Sequence, residues 1–261
     1  MALAMSMILL REESPLSLDD LLHDFRTKWP DVPAPADASE DGATLSFRTG
    51  SADVILGRMP APIPWSDLEG PCATSILWPE AAEDLKEHGA HYIVTVTADQ
   101  SPAELAALLT KATASVLSTC STALGVYWGS ATLVVPKNIF IEFAEKVLPH
   151  GPPLHIWVDF RVGKQTDSSS GGFTSGMTAL GCMEFEVAES PETPAELRER
   201  LLELAAYVVQ NGPVIRDGDS VGRNVRERIR VVYSESIFGH ADRVMRLEYE
   251  PSQPKPWWKV W

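Results

Sequence analysis

The order of apolar and polar positions divides the chain into short alternating elements. Residues 7–10 begin an apolar strand. Ser17 then precedes Asp19 and Asp20, placing a hydroxyl acceptor and negative charge where a helix start leaves N–H groups unpaired. Leu18, Leu21, Leu22 and Phe25 recur at helical spacing, which predicts a helix over 18–28. Residues 30–41 are a Pro/Ala/Asp loop, and 45–48 with 53–56 read as a hairpin turning at Thr49-Gly50-Ser51. Pro60, Pro62, Pro64 and Pro71 predict a long loop around Trp65. A short helix over 79–88 stops at Gly89, and His91-Tyr-Ile-Val-Thr-Val-Thr97 alternates as a strand. This half therefore reads β-α-β-β-α-β.

Ser101-Pro102-Ala103-Glu104 is a capping box with Pro at the first helical position, opening a helix to about residue 118. Strand material follows over 124–135 around Gly129, then a helix over 138–147, a strand over 155–162 and a Ser/Gly loop over 164–176. Met183-Glu-Phe-Glu-Val187 alternates as a strand. Thr193-Pro194-Ala195-Glu196 repeats the capping box, and Leu197, Leu201, Leu204, Ala205 and Val208 form one helical stripe that ends at Asn211-Gly212. Residues 229–233 and 244–249 are the final strands, and 251–261 form a Pro/Trp tail.

The second half can be written as the same β-α-β-β-α-β order with one extra strand. The expected fold is thus α+β, a mostly antiparallel sheet with helices on one face, built by duplicating a ferredoxin-like unit. The halves would span 5–100 and 122–250, joined by a crossover helix at 101–121 and followed by the tail at 251–261. A second alignment pairs the strands that run into the identical Pro-Ala-Glu-Leu segments at 102–105 and 194–197.

Composition narrows the classes. The chain has 261 residues, 44% apolar and 22% charged, which is the balance of a folded globular chain and not of a disordered one. No apolar run approaches the ~18 residues of a spanning helix. Lys plus Arg is 22 against 36 Asp plus Glu, a net charge of −14. That field repels phosphates, so neither nucleic acid nor an anionic membrane is expected as a partner. It suits a basic protein partner, and it also simply favours solubility. The oligomeric state is left open. Cys72, Cys120 and Cys182 are odd in number and form no C-x-x-C, which fits free thiols in a reducing compartment. Residues 1–13 have no basic region before their apolar run, so no secretory leader is read there and a cytoplasmic location is expected.

The catalytic readings are thin. Gly218-Asp-Ser-Val-Gly222 matches G-x-S-x-G, yet it follows a helix and precedes an Arg-rich strand, the reverse of the strand-to-helix turn that exposes a nucleophile. Ser220 is a catalytic candidate only in that sense. Asp217 and Asp219 are spaced like the start of a calcium loop, but Val221 and Arg228 occupy later ligand positions. His88 and His91, near Glu80, Glu83, Asp84 and Glu87, are candidates for metal binding or proton transfer, against a plainer role in capping a helix and opening a strand. No cofactor is indicated. Trp257, Trp258 and Trp261, with Phe173 and Thr174 of the Ser/Gly loop, are candidate interface residues, since aromatic clusters mark contacts. Trp65, Trp78, Trp128 and Trp157 read as core or groove lining.

Four strings together resemble a bacterial domain-of-unknown-function family: His88-Gly-Ala-His91, Gly125-Val-Tyr-Trp128, Thr174-Ser-Gly-Met177 with Gly181-x-x-Glu184-Phe-Glu186, and Asp217-Gly-Asp-Ser-Val-Gly222. The resemblance covers about residues 50–250 and implies a stand-alone cytoplasmic bacterial protein, with no activity attached. Three functions follow as expectations. The first is a non-enzymatic acidic interaction module, immunity-like or adaptor-like. The second is a hydrolase with a pocket near His88, His91 and the 217–220 turn. The third is a small-molecule sensor with Trp128 or Trp157 lining a groove.

Overall fold

A computed structural model describes residues 2–223 and 227–249. The chain forms two compact units. The first holds residues up to 159 together with 175–181, and the second holds 160–174 with the chain from 182 onward.

The first unit is built on a seven-stranded sheet. Its strands are β1 (Ala2–Leu10), β2 (Ala36–Asp41), β3 (Thr44–Thr49), β4 (Ala52–Met59), β5 (Ala90–Ala98), β6 (Ala123–Trp128) and β7 (Leu133–Pro136), in spatial order β2-β3-β4-β5-β1-β6-β7. Every neighbouring pair is antiparallel. Helices α1 (Leu18–Lys28) and α4 (Pro102–Thr119) lie on one face. That face is the alternation Ile8 and Leu10 of β1, Val94 and Val96 of β5, Val54 and Leu56 of β4, and Phe47 of β3, all buried. Phe25 of α1 meets Phe47 edge to face at 5.2 Å, and the Ser6 and Thr113 hydroxyls bond at 2.7 Å where α4 crosses β1. Helices α2 (Trp65–Thr74) and α3 (Ala81–Leu85) pack on the opposite face, around Leu9 and Val134. The remaining α-helices described in this unit are α5 (Lys137–Glu142) and α6 (Leu154–Trp157).

The second unit carries a six-stranded sheet, β11-β12-β13-β10-β9-β8, and one long helix. The elements are β8 (Asp159–Thr166), β9 (Ser169–Ser175), β10 (Phe185–Ser190), α7 (Pro194–Asn211), β11 (Ser220–Val221), β12 (Ile229–Ser234) and β13 (Val244–Tyr249). Strands β10 and β13 pair in parallel, because α7 and the β11–β12 segment intervene and let β13 return in the direction of β10. Leu197, Leu201, Ala205 and Val208 of α7 are fully buried, as the stripe predicts.

The α+β class and the mostly antiparallel sheet are as expected. The duplicated ferredoxin-like unit and the one-sided helices are not what forms. The first unit places helices on both faces, because the inner end of β1 is apolar at consecutive positions Ile8, Leu9 and Leu10 and needs cover on each side. The second unit runs three strands, one helix and three strands. The helix expected as a crossover between halves packs on β1 and β5 within the first unit. The shorter alignment does match: β5 and β10 each lead into an 18-residue helix whose capping box closes fully, at Ser101 with Glu104 and at Thr193 with Glu196. The Ser/Gly segment over 164–176 forms a hairpin whose second strand, β9, is mostly buried. A Cβ on Gly172 would stand 2.3 Å from the Arg161 carbonyl oxygen, so close strand approach requires glycine there. The 251–261 tail, with Trp257, Trp258 and Trp261, lies outside the described residues.

Candidate functional site

In the first unit, the site is built at the outer end of β1. Strand β1 pairs with β5 along its whole length, from Ala2 opposite Ala98 to Leu10 opposite Ala90. With β6 it pairs only from Met7 inward. Beyond Trp128 the chain enters a tight turn at Gly129–Ala131, and Thr132 takes a left-handed conformation at φ 51° before β7 starts back. Among the described residues no strand therefore covers the second edge of 2–6. Alternate residues of that stretch direct N–H and C=O groups outward.

Beside this edge lies a cavity of about 310 Å³ between β1, α4 and the turn after β6. Ala2 and Ala4 stand on the α4 side with Leu105 and Leu109, and Trp128, Trp157 and Leu180 complete the wall. The cavity exists because β1 alternates small residues (Ala2, Ala4, Ser6) with large ones (Leu3, Met5). Leu3 is 64% exposed and Met5 39%. The Trp157 ring is fixed by its N–H, which donates to Thr110 Oγ1 at 2.7 Å. Gly176 closes the far side at φ +115°, where a Cβ would meet the Trp157 carbonyl oxygen at 2.5 Å, so no other residue seats the 176–180 turn there.

His88 and His91 serve the same unit's backbone. The Ile63 N–H donates to His88 Nε2 at 2.8 Å, and His88 Nδ1 donates to the Leu85 carbonyl at 2.6 Å. His91 Nδ1 meets the Ala61 carbonyl at 2.8 Å. Burial lowers the His91 pKa, the Ala61 bond pulls it back upward, and the neighbouring His88 ring lowers it further. Both rings thus hold the 61–63 segment. Glu80, Glu83, Asp84 and Glu87 line a separate acidic cleft of about 790 Å³ with Trp78 and Leu124, and Arg11 is the basic residue on its wall. Trp78 Nε1 donates to Asp84 at 2.7 Å. Among the described residues no group of three or more His, Cys, Asp or Glu is placed to hold a metal ion.

The 217–220 turn belongs to the second unit. Asp219 accepts from the Arg216 N–H at 2.7 Å and Asp217 from the Tyr233 N–H at 2.8 Å. Ser220 is exposed on the two-residue strand β11, opposite Arg230. This is a turn tied by its own carboxylates. Thr174, expected at an interface, is fully buried: its hydroxyl donates to Glu184 at 2.7 Å and accepts from the Phe185 N–H. Phe173 is half-buried under Phe238, at 5.0 Å between ring centroids, and His240, at 5.5 Å.

Sequence reasoning missed Glu186. Its side chain is 0% exposed. It accepts from the Ser236 hydroxyl and from the N–H groups of Ile237 (3.0 Å) and Phe238 (3.4 Å), so one buried carboxylate ties down the 236–238 connection. The signal was the alternation Met183-Glu-Phe-Glu-Val187, which sends two acids to the face opposite the core. It could not reveal that this second face is also covered.

Residues 173–248 match the family model described as Domain of unknown function (DUF4261). The matched segment takes in Glu186, its 236–238 clasp and the 217–220 turn. No curated protein and no solved structure matches the chain. No helix among the described residues is long and apolar enough to cross a membrane.

Proposed function

We propose that this protein is an interaction module that captures a basic partner protein at the outer end of β1, and that it acts by association and not by catalysis. The observation that supports the reading is the contrast between strand edges of the first sheet. The β2 edge carries Asp37, Glu40 and Asp41, and its register slips between Ala36 and Ser39. The β7 edge is four residues long and ends in Pro136. Charge, irregularity, shortness and proline all discourage pairing with another chain. The 2–6 edge has none of these, shows Leu3 and Met5 to solvent, and adjoins an apolar cavity. The net charge of −14 and the acidic cleft at Glu80–Glu87 favour a basic partner by speeding its encounter. The hydrogen bonds of His88 and His91 to backbone groups support a binding role over a catalytic one.

The test compares wild type with a Leu3→Lys, Met5→Glu variant as bait in lysate of the source organism, at low and moderate salt. The expected result is a basic protein held near stoichiometry by wild type, weakened by salt and lost from the variant. A partner retained equally by the variant removes the site, and an empty capture removes the reading. A second reading, small-molecule sensing, is favoured by one observation: Trp128 and Trp157 both line the cavity, whose volume sits at the small end of the ~300–1,000 Å³ of ligand pockets. Saturable quenching of tryptophan fluorescence by one member of a metabolite panel, lost on Trp128→Phe, would establish it. A flat response across the panel would remove it.

A further inference from the structure

Resting on that reading, we propose that the partner supplies an extended strand that pairs with residues 2–6 of β1 and seats one apolar side chain in the cavity beside Trp128 and Trp157. The backbone sets this form. An unpaired edge offers N–H and C=O groups at alternate residues, and another strand is the shape that satisfies them in register. Five residues at about 3.3 Å each give an edge of about 17 Å, long enough for a short peptide strand.

The side chains set the pattern. In an added strand, every second residue would point to the α4 side of the sheet. On that side Ala2 and Ala4 are too small to fill the space before Leu105, Leu109 and the two tryptophans. An aromatic or branched apolar residue of the partner fills it, in the manner of a buried anchor in an interface core. Residues at the intervening positions lie over Leu3 and Met5.

Charge sets the flanks. The cavity lining contains no Lys or Arg. Asp99 directly follows Ala98, the residue opposite Ala2. Glu104 is exposed in the first turn of α4. It stays ionised because the Ser101 hydroxyl and N–H both donate to its carboxylate. Both acids lie at the Ala2 end of β1, so Lys or Arg at that end of the added strand faces them.

The experiment pans a randomised twelve-residue display library against the full-length protein and then characterises the best synthetic peptide. The expected winners alternate apolar with other residues, carry an aromatic or Leu at one fixed position and place Lys or Arg outside it. On binding, amides within residues 2–6 become protected from hydrogen exchange. N-methylating the peptide at alternate residues then weakens binding by about ten-fold or more, while methylating the intervening residues changes it by less than about two-fold, because alternate N–H groups point to opposite sides of a strand. A library that enriches nothing, or a flat methylation scan, overturns strand addition. So does a protein that self-associates through protected residues 2–6, since a second copy would then be the occupant. Partner capture from lysate by wild type but not by the edge variant, together with a flat scan, would leave the interaction reading standing and remove only the strand.

Discussion

Arg200 offers the sharpest test of how the second unit is held together. Its side chain is 4% exposed. The Nε donates to both Glu192 oxygens at 2.9 Å, and one terminal nitrogen reaches Glu192 and also Glu227 at 2.5 Å. Tyr249 donates its hydroxyl to Glu192 at 2.7 Å. Burial alone would raise the Glu192 pKa, but the bonds from Arg200 and Tyr249 outweigh it and hold it low. Arg200→Met keeps the aliphatic stem and leaves two carboxylates facing each other with no cation between them. Breaking a buried ion pair from one side costs about 3–5 kcal/mol. For a unit of roughly 100 residues, at about 4–8 °C per kcal/mol, its melting transition should fall by at least about 12 °C. The pH dependence has a definite sign. A carboxylate whose folded pKa is lowered contributes stability above its ordinary value near 4.5 and loses it as pH falls through the folded value. In the variant the unpaired Glu192 takes a proton more readily, so the gap between variant and wild type should narrow as pH drops below about 4.5. Adding Glu192→Gln to Arg200→Met should recover part of the loss at neutral pH. Calorimetry across pH is the assay. A neutral-pH loss under about 1 kcal/mol, or a deficit indifferent to pH, would refute the argument that this cation is what makes the buried acids tolerable.

Other outcomes follow from the geometry. Gly125→Ala puts a Cβ 2.4 Å from both the Trp78 ring and the Val135 carbonyl oxygen, so denaturant melts should show a loss of about 1–3 kcal/mol, whereas Gly129→Ala, with nothing within 4 Å, should leave the midpoint near wild type. Because His91 is held below its ordinary 6.5, stability should decline as pH falls through 6.5 toward the folded value, and His91→Gln should flatten that slope in melts from pH 7.5 to 5. Glu186→Gln turns one acceptor oxygen into a donor facing other donors, so the amides of Ile237 and Phe238 should exchange faster by mass spectrometry while β5 amides stay unchanged.

What could be read along the chain was what local chemistry decides. Ser17, Ser101 and Thr193 mark helix starts because the donors they satisfy lie within three residues. The α7 stripe and the β5 alternation were legible because burial on one face imposes a period. The turn at 217–220 was legible because Asp219 closes it locally on the Arg216 N–H, whereas the Tyr233 N–H bond to Asp217 comes from a strand sixteen residues on. Segments whose structure depends on distant neighbours were misread. Pro60 to Pro71 looked like loop, yet Trp65–Thr74 is helical and packs Leu68 and Cys72 onto the first sheet. Residues 36–41, wholly exposed, form an edge strand only because β3 is there to pair with. Helix α6, at Leu154–Trp157, takes the start of the strand expected over 155–162.

The candidate site divides in the same way. Trp128 and Trp157 were read from the sequence as core or groove lining; both are buried and both border the cavity. The open edge could not be foreseen, since it arises where β6 leaves β1 after Trp128, a fact about two strands more than 100 residues apart in the chain. Composition, capping and periodicity thus determined the α+β class, the long helices and the acidic field, because each depends on residues close in sequence or on their sum. Strand order, the second covered face that hides Glu186, and the bare edge at residues 2–6 were decided by tertiary structure alone. Those features depend on which distant segments meet, and no local preference encodes that.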